Sequence, residues 1–318
     1  MKVFVSTIPF SESSPFPIQI LKEAGAEVFI NDLGRKISSR ELAEKITDID
    51  CLIAGTEKID KTLLDQAKKL KLISRVGVGL DGIDLEETKR RGIKVTYTPN
   101  APVKAVSELT IGFILQLARN IKLSDIDIKN NIWKKRFGFL ISEMTIGIIG
   151  TGAVGASVIK ILSNLGSPKI LANSLEKDDS LSFIENFEWT DNERIFKESD
   201  LISFHLPLTK ETTNLVTKKE LKLMKKNCML INTSRGGIIN ESDLYWALEN
   251  NIIYQAALDV FCEEPYKGPL KNLDNCILTP HIGSLSFLTR SLMEVDAAKE
   301  VEAFLSGNPQ NHSAPGSY

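Results

Sequence analysis

Short apolar runs of strand character alternate with helical patterns along this chain, and they do so in two successive series. The first holds KVFVST (2–7), EVFIND (27–32), CLIAG (51–55), LISRVGVG (72–79) and KVTYT (94–98), separated by segments of helical periodicity such as 40–46 and 61–69. The second begins at TIGIIG (145–150) and continues through KILAN (169–173), LISFHLP (201–207), CMLINTS (228–234), YQAALDVF (254–261) and CILTPH (276–281). Strand followed by helix, repeated, demands parallel sheets covered on both faces. The predicted class is α/β, with two doubly wound parallel-sheet domains, six strands in the second.

At 318 residues the chain is too long for one comfortable core. A long apolar helix, 105–121, stands between the two series, and another helical stretch, 288–305, follows the last strand. Read as a crossing and a return, they make one discontinuous domain of 1–99 plus 285–318 and a second of 100–284, with a cleft expected between them. The tail GNPQNHSAPGSY is rich in Gly, Pro, Ser and Asn and is expected to fray. Lys and Arg total 39 against 41 Asp and Glu, so no broad positive field favours nucleic acid or an anionic membrane. A small-molecule partner is expected instead. The N-terminus lacks the long apolar run of a secretory signal and no stretch approaches the ~20 residues that span a bilayer, which points to the cytoplasm. Cys51, Cys228, Cys262 and Cys276 form no CxxC pair and show no metal spacing with His. They are expected to be reduced and packed, and no metal is expected.

A GxGxxG is a weak signal in isolation. Here Gly150, Gly152 and Gly155 follow the apolar strand TIGII and open the helical run AVGASVIKILSNLG, the context that gives the spacing meaning. The first glycine permits a tight turn, the second lets backbone approach a pyrophosphate, and the third allows close helix packing. Thr151, Ala153 and Val154 complete the phosphate loop of a Rossmann dinucleotide-binding domain. An acidic residue normally follows about 20 residues on, where it binds the ribose hydroxyls. Asn173 takes that place and carries no charge, so NAD is the first expectation and NADP a rival that Ser174 or Lys177 could assist. A solvated loop lysine is the plainer reading of Lys177.

INTSRGG (231–237), LDVFCEEP (258–265) and TPHIG (279–283) follow the fingerprint in that order. With SRVGVGLDGID, RGIKV, AVSELTIGFILQLAR and HLPLTKETTNL they run through nearly the whole chain, which closely resembles the D-isomer-specific 2-hydroxyacid dehydrogenase family, nearest to its D-3-phosphoglycerate dehydrogenase branch. The resemblance implies a flavodoxin-like substrate domain beside the Rossmann domain, and hydride transfer between a nicotinamide cofactor and a small 2-oxo or 2-hydroxy acid. It makes Arg235 the arginine that clasps the substrate carboxylate, a task suited to a planar, permanently charged fork. His281 becomes the proton donor and acceptor. Glu264, rather than its neighbour Glu263, becomes the carboxylate that holds the histidine tautomer and raises its pKa.

Softer assignments follow from the same resemblance. Asp259, with Thr233, Ser234 and Gly283 nearby, would meet the nicotinamide carboxamide, although strand-end capping competes. Leu206 and Pro207 would approach the riboses through backbone, while His205 reads as a structural strand-end histidine. Val76, Gly77, Val78 and Gly79 resemble the loop whose amides receive the substrate carboxylate, against a plain βα turn. A homodimer is implied, with Phe113, Leu117 and Trp133 as interface candidates. Pro102 and Ala105 stand where related sequences often carry Asn and Ser. The chain stops near 318, so the C-terminal serine-sensing domain of longer phosphoglycerate dehydrogenases is not expected. The run KKELKLMKK (218–226) reads as a solvated amphipathic helix face, since Leu221, Leu223 and Met224 interrupt its charges. Glyoxylate or hydroxypyruvate reduction with the same triad is the alternative activity, and a dinucleotide-sensing binding protein the alternative of another class.

Overall fold

The computed structural model describes residues 1–315. It divides the chain into two compact units, Met1–Pro102 with Ser284–Tyr318, and Val103–Gly283. In the first, β1 (Lys2–Val5), β2 (Glu27–Ile30), β3 (Cys51–Ala54), β4 (Leu72–Arg75) and β5 (Lys94–Tyr97) form a wholly parallel sheet in the order β2-β1-β3-β4-β5. That is the flavodoxin-like order, which reverses between β1 and β3. β3 is buried at every residue, as a sheet covered on both sides requires. One apolar cluster, including Leu42, Ile46, Leu52 and Ile73, fills one face. Val3, Leu21 and Ile53 fill the other against Met293, Ala297 and Val301 of the helix Phe287–Leu305.

The second unit holds seven parallel strands: β6 (Thr145–Ile149), β7 (Lys169–Asn173), β8 (Phe187–Trp189), β9 (Leu201–Phe204), β10 (Met229–Asn232), β11 (Gln255–Leu258) and β12 (Cys276–Leu278). Their order is β12-β11-β10-β9-β6-β7-β8, the doubly wound dinucleotide arrangement with one added edge strand. The sequence expectation of six strands is corrected to seven. β8 has three residues, all half-buried, and too little alternation to register as a strand. Phe204, fully buried between helices and sheet, is worth about 1.5–3 kcal/mol in apolar burial.

The crossing helix spans Pro102–Ala118 and is followed by a separate helix, Ile121–Lys129. Asn120 breaks them apart with a left-handed backbone (φ 54°), and its side chain accepts from Tyr254 and Gln255 while donating to the Phe137 carbonyl. Phe113 and Leu117 lie within the core of this unit, packed with Ile114, Ile148 and Ile159, so they are not surface residues awaiting a partner. Trp133 is 84% exposed.

Other expectations change as well. The tail does not fray up to residue 315: Ser313 bridges Thr96, the Ala314 amide donates to the Val95 carbonyl, and Ala314 is buried. Glu300 holds the amides of Asn311 and His312. Residues 316–318 lie outside the described part. Cys51, Cys228 and Cys276 are buried free thiols, but Cys262 is exposed. The helix expected over 61–69 closes after Lys61–Leu64, and the lysine-rich run forms the short helix Lys218–Leu221 with Leu221 and Met224 buried. Among the described residues no helix is long and apolar enough to cross a membrane.

Candidate active site

The order of the second sheet reverses between β6 and β9, and the glycine loop lies at their C-terminal ends. Gly150 takes φ 95°, and a Cβ there would collide with the His205 carbonyl. A Cβ on Gly155 would strike the carbonyl of Gly150, so the helix Ala153–Asn164 can start this close to β6 only with glycine at both places. Gly152 differs, because nothing lies within 4 Å of where its side chain would be. It occupies the N-cap of this helix without a side-chain cap, which leaves the first-turn amides, including those of Ala153 and Val154, facing open space. Thr151 Oγ1 is buried without a partner, as is His205 Nδ1. Open amides at a helix start, room above Gly152 and an unsatisfied hydroxyl fit a pyrophosphate. These residues therefore fit a dinucleotide.

Around that loop, Asn173 gives its carbonyl to the Gly150 amide, and Ser174 Oγ accepts weakly from Thr151 at 3.4 Å. Lys177 sits over the Trp189 ring at 5.7 Å, so it is a stacked rather than a merely solvated lysine. Leu206 packs against the core, while the Pro207 carbonyl accepts from Thr212 Oγ1 at 2.7 Å. His205 Nε2 lies 3.0 Å from Ser203 Oγ, and burial pushes its imidazole pKa down to about 4. It is a neutral structural residue at neutral pH.

The three chemical side chains come from the ends of β10, β11 and β12. Asn232, which the sequence reading passed over, organises the first of these ends. Its Oδ1 accepts from the amide and hydroxyl of Ser234, and its Nδ2 donates to the Arg235 carbonyl at 2.8 Å. Arg235 Nη1 donates to the Ser234 carbonyl, and Thr233 Oγ1 lies 2.9 Å from Thr110 Oγ1. Gly236 is obligatory, since any Cβ would overlap the backbone of Phe261 in the next loop. That close approach brings the Arg235 loop against the 259–264 loop. An Asn ending a buried strand just before SRGG was the signal available for its role.

His281 Nδ1 lies 2.9 and 3.0 Å from the two oxygens of Glu264, residues separated by 17 positions. An ionised carboxylate only accepts, so Nδ1 carries the proton of this bond and Nε2 is left as the reactive nitrogen. Glu264 is held in turn by the Phe261 amide at 3.2 Å. The histidine keeps 35% of its side-chain surface exposed, enough for a reacting group to approach. Its backbone has φ 56°, an uncommon conformation for a residue with a side chain.

Asp259 maintains that conformation. Its carboxylate is almost wholly buried and accepts from Thr279 Oγ1 (2.5 Å), the Ile282 amide (2.8 Å) and the Gly283 amide (2.7 Å). The capping role weighed against a carboxamide contact is thus the one its bonds describe. Burial raises its pKa, and the three donors oppose the shift. A Cβ at Gly283 would lie 3.0 Å from Asp259 Oδ2 and 3.3 Å from Val106. Thr279 is a second residue that the sequence reading missed.

In the first unit, the Val76–Gly79 loop follows β4. The Val76 amide donates to the Ala54 carbonyl, and the Gly77 amide to Thr98 Oγ1 at 2.7 Å. Of the four expected amides, only those of Val78 and Gly79 are without an acceptor among the described residues. The expectation narrows to these two.

A glycine loop at the strand-order reversal, an Arg at one strand end and a His–Glu couple at the next two define a nicotinamide-dependent oxidoreductase acting on CH–OH groups. Residues 111–283 match the family model for the D-isomer specific 2-hydroxyacid dehydrogenase, NAD binding domain, and the chain belongs to that family. It is 40% identical over 277 residues to a glyoxylate reductase of Thermococcus litoralis, covering 84% of this chain and 83% of that protein. It is 37% identical over 321 residues to a D-3-phosphoglycerate dehydrogenase of Methanocaldococcus jannaschii, covering 96% of this chain and 58% of that protein. Among solved structures, D-lactate dehydrogenase of Aquifex aeolicus complexed with NAD and lactic acid superimposes with a TM-score of 0.86 at 28% identity, covering 99% of each chain.

Proposed function

We propose that this enzyme reduces a small, unphosphorylated 2-oxo acid of the glyoxylate or hydroxypyruvate type to the corresponding 2-hydroxy acid. The observation that carries the reading is the His281–Glu264 couple, with the loop after β12 held by Asp259 from the end of β11. A bound reduced nicotinamide supplies the hydride. Arg235 binds the substrate carboxylate in the second unit, and the Val78 and Gly79 amides are assigned to anion binding in the first. His281 Nε2 gives its proton to the C2 oxygen as the carbonyl is reduced and takes it back in oxidation, and Glu264 keeps the ring in the required tautomer throughout. Gly150, Thr151, Gly152, Ala153, Val154 and Gly155 bind the pyrophosphate, Leu206, Pro207, Thr233, Ser234 and Gly283 approach the ribose and nicotinamide, and residues 100–284 form the dinucleotide domain.

The relatives named glyoxylate reductase and hydroxypyruvate reductase, the latter of Thermotoga maritima at 36% identity, support the unphosphorylated substrate. The phosphoglycerate dehydrogenase relative favours a phosphorylated one as the second reading. NAD is the first cofactor assigned and NADP the second, because Asn173 places no negative charge against a 2′-phosphate. The free cysteines suit a reducing cytoplasm, and exposed Trp133 suits a homodimer. Glyoxylate, hydroxypyruvate and 3-phosphohydroxypyruvate, each assayed with NADH and NADPH, test these assignments. Turnover of the first two is expected. Absence of turnover on every 2-oxo acid would leave a dinucleotide-sensing protein as the better description.

A further inference from the structure

In the first unit β5 stands at the end of the sheet, yet Val95 and Thr96 in it are fully buried. The cover is the chain's own C-terminal segment. The helix Phe287–Leu305 ends in a reversal at Gly307 (φ 70°), where the Gly307 amide donates to the Phe304 carbonyl and the Asn308 amide to the Ala303 carbonyl. From there the chain runs back antiparallel to β5. Ser313 bridges Thr96, the Tyr97 amide donates to the His312 carbonyl at 3.1 Å, and the Ala314 amide to the Val95 carbonyl at 2.8 Å. The outward amide of Tyr97 and the outward carbonyl of Val95 thus find partners in this segment.

Polar bonds, more than apolar burial, hold it there. Of residues 308–314 only Ala314 is buried. Glu300, on the helix and 2% exposed, accepts from the Asn311 amide with both oxygens, at 3.0 and 3.2 Å, and from the His312 amide at 3.1 Å. Lys94 Nζ, at the start of β5, donates to Gln310 Oε1 at 3.0 Å. Segments with few buried apolar contacts open at free energies well below that of global unfolding. Here the bonds must break together, because the amides of Asn311 and His312 are adjacent on one short extended run and share a single carboxylate. A buried carboxylate that loses its donors is costly, which favours the closed arrangement.

We propose that residues 308–314 form a strap that opens and closes on β5 as one unit, with Glu300 as its latch, and that the closed strap keeps the β5 edge from pairing with a second copy of this chain. A bare sheet edge is a template for another strand, and covering it with a segment of the same chain is one way to block that pairing. Opening would free the Tyr97 amide and the Val95 carbonyl and uncover Val95 and Thr96, which supplies both the hydrogen bonds and the apolar surface for an added strand. This inference concerns the first unit alone and is independent of the catalytic reading.

The test is native-state hydrogen exchange on the full chain, read residue by residue, with sedimentation measured in parallel for the wild type and Glu300→Gln. In the wild type the amides of Tyr97, Asn311, His312 and Ala314 are expected to share one protection factor. It should be at least about 10-fold below that of the Ser6 amide, which donates to the Ile53 carbonyl inside the sheet. Glu300→Gln keeps the shape of the side chain but turns a donor toward the Asn311 amide. The four protection factors are expected to fall together by roughly 10- to 100-fold while that of Ser6 holds, and the variant should form species larger than those of the wild type as its concentration rises. Unequal wild-type protection among the four amides, or protection equal to that of Ser6, would overturn the proposal. So would a folded variant whose exchange is unmoved, or one that opens and still sediments like the wild type. The wild-type exchange decides whether the strap moves as a unit even if the variant fails to fold.

Discussion

Asp259 holds backbone with which it shares no strand. Its two oxygens accept from Thr279, Ile282 and Gly283, which surround His281 and hold its backbone at φ 56°. Asp259→Asn would turn an amide NH2 toward one of these donors, at a cost of about 1–3 kcal/mol. The expected outcome is a lower melting temperature together with a fall in kcat, whereas Thr279→Val, which removes one bond, should lose less of both. Equal effects would argue against the loop-anchoring role. His205 gives a different signature. Its folded pKa of about 4 lies below the ordinary 6.5, so between these values the unfolded chain binds more protons than the folded one. The associated stability is present above pH 6.5 and is lost as the pH falls toward 4, up to about 3 kcal/mol at 1.36 kcal/mol per unit. Thermal melts across that window should show a shallower acid slope for His205→Gln. An unchanged slope would mean that another group controls it.

At the scale of elements, the glycine loop separates folding from binding. Gly155→Ala places a methyl on the Gly150 carbonyl and is expected to destabilise the fold as well as weaken dinucleotide binding. Gly152→Ala meets nothing within 4 Å, so it should fold with a near-native melting temperature but bind NADH more weakly, because its methyl projects where a pyrophosphate must approach. Calorimetric titration and melts on the pair check this. Equal melting temperatures with equal affinities would contradict it. The buried parallel strands were legible because burial on both faces writes continuous apolar runs, as in β3 and β9. β8 was not, since three half-buried residues carry no pattern. The break at Asn120 was hidden because apolar periodicity continues through it, and only the tertiary bonds to Tyr254 and Gln255 favour the left-handed turn. Arg235, Glu264 and His281 were visible as motifs. Asn232 and Thr279 were not, since their importance lies in which neighbouring loop atoms they bond. The narrowing of the Val76–Gly79 loop to two open amides likewise depends on Thr98, 21 positions from Gly77 at a different strand end, a relation that spacing does not reveal.

For the whole molecule, the segment after the helix Ile121–Lys129 exposes Trp133 by 84% and Phe137 by 99%, with Ile132 and Leu140 also open. Exposed apolar side chains grouped this closely in sequence motivate a test for self-association. The protein is expected to sediment as a dimer, and Trp133→Ser combined with Phe137→Ser to shift it to monomer. A wild-type monomer would remove the dimer assignment without touching the chemistry. The chemistry is tested most directly by His281→Asn, assayed for kcat on hydroxypyruvate or glyoxylate with the dinucleotide Kd measured in parallel by fluorescence. A loss of about 10²- to 10⁴-fold in kcat with the Kd retained is expected from a proton-transferring imidazole. Turnover at the wild-type rate in that variant would contradict the account.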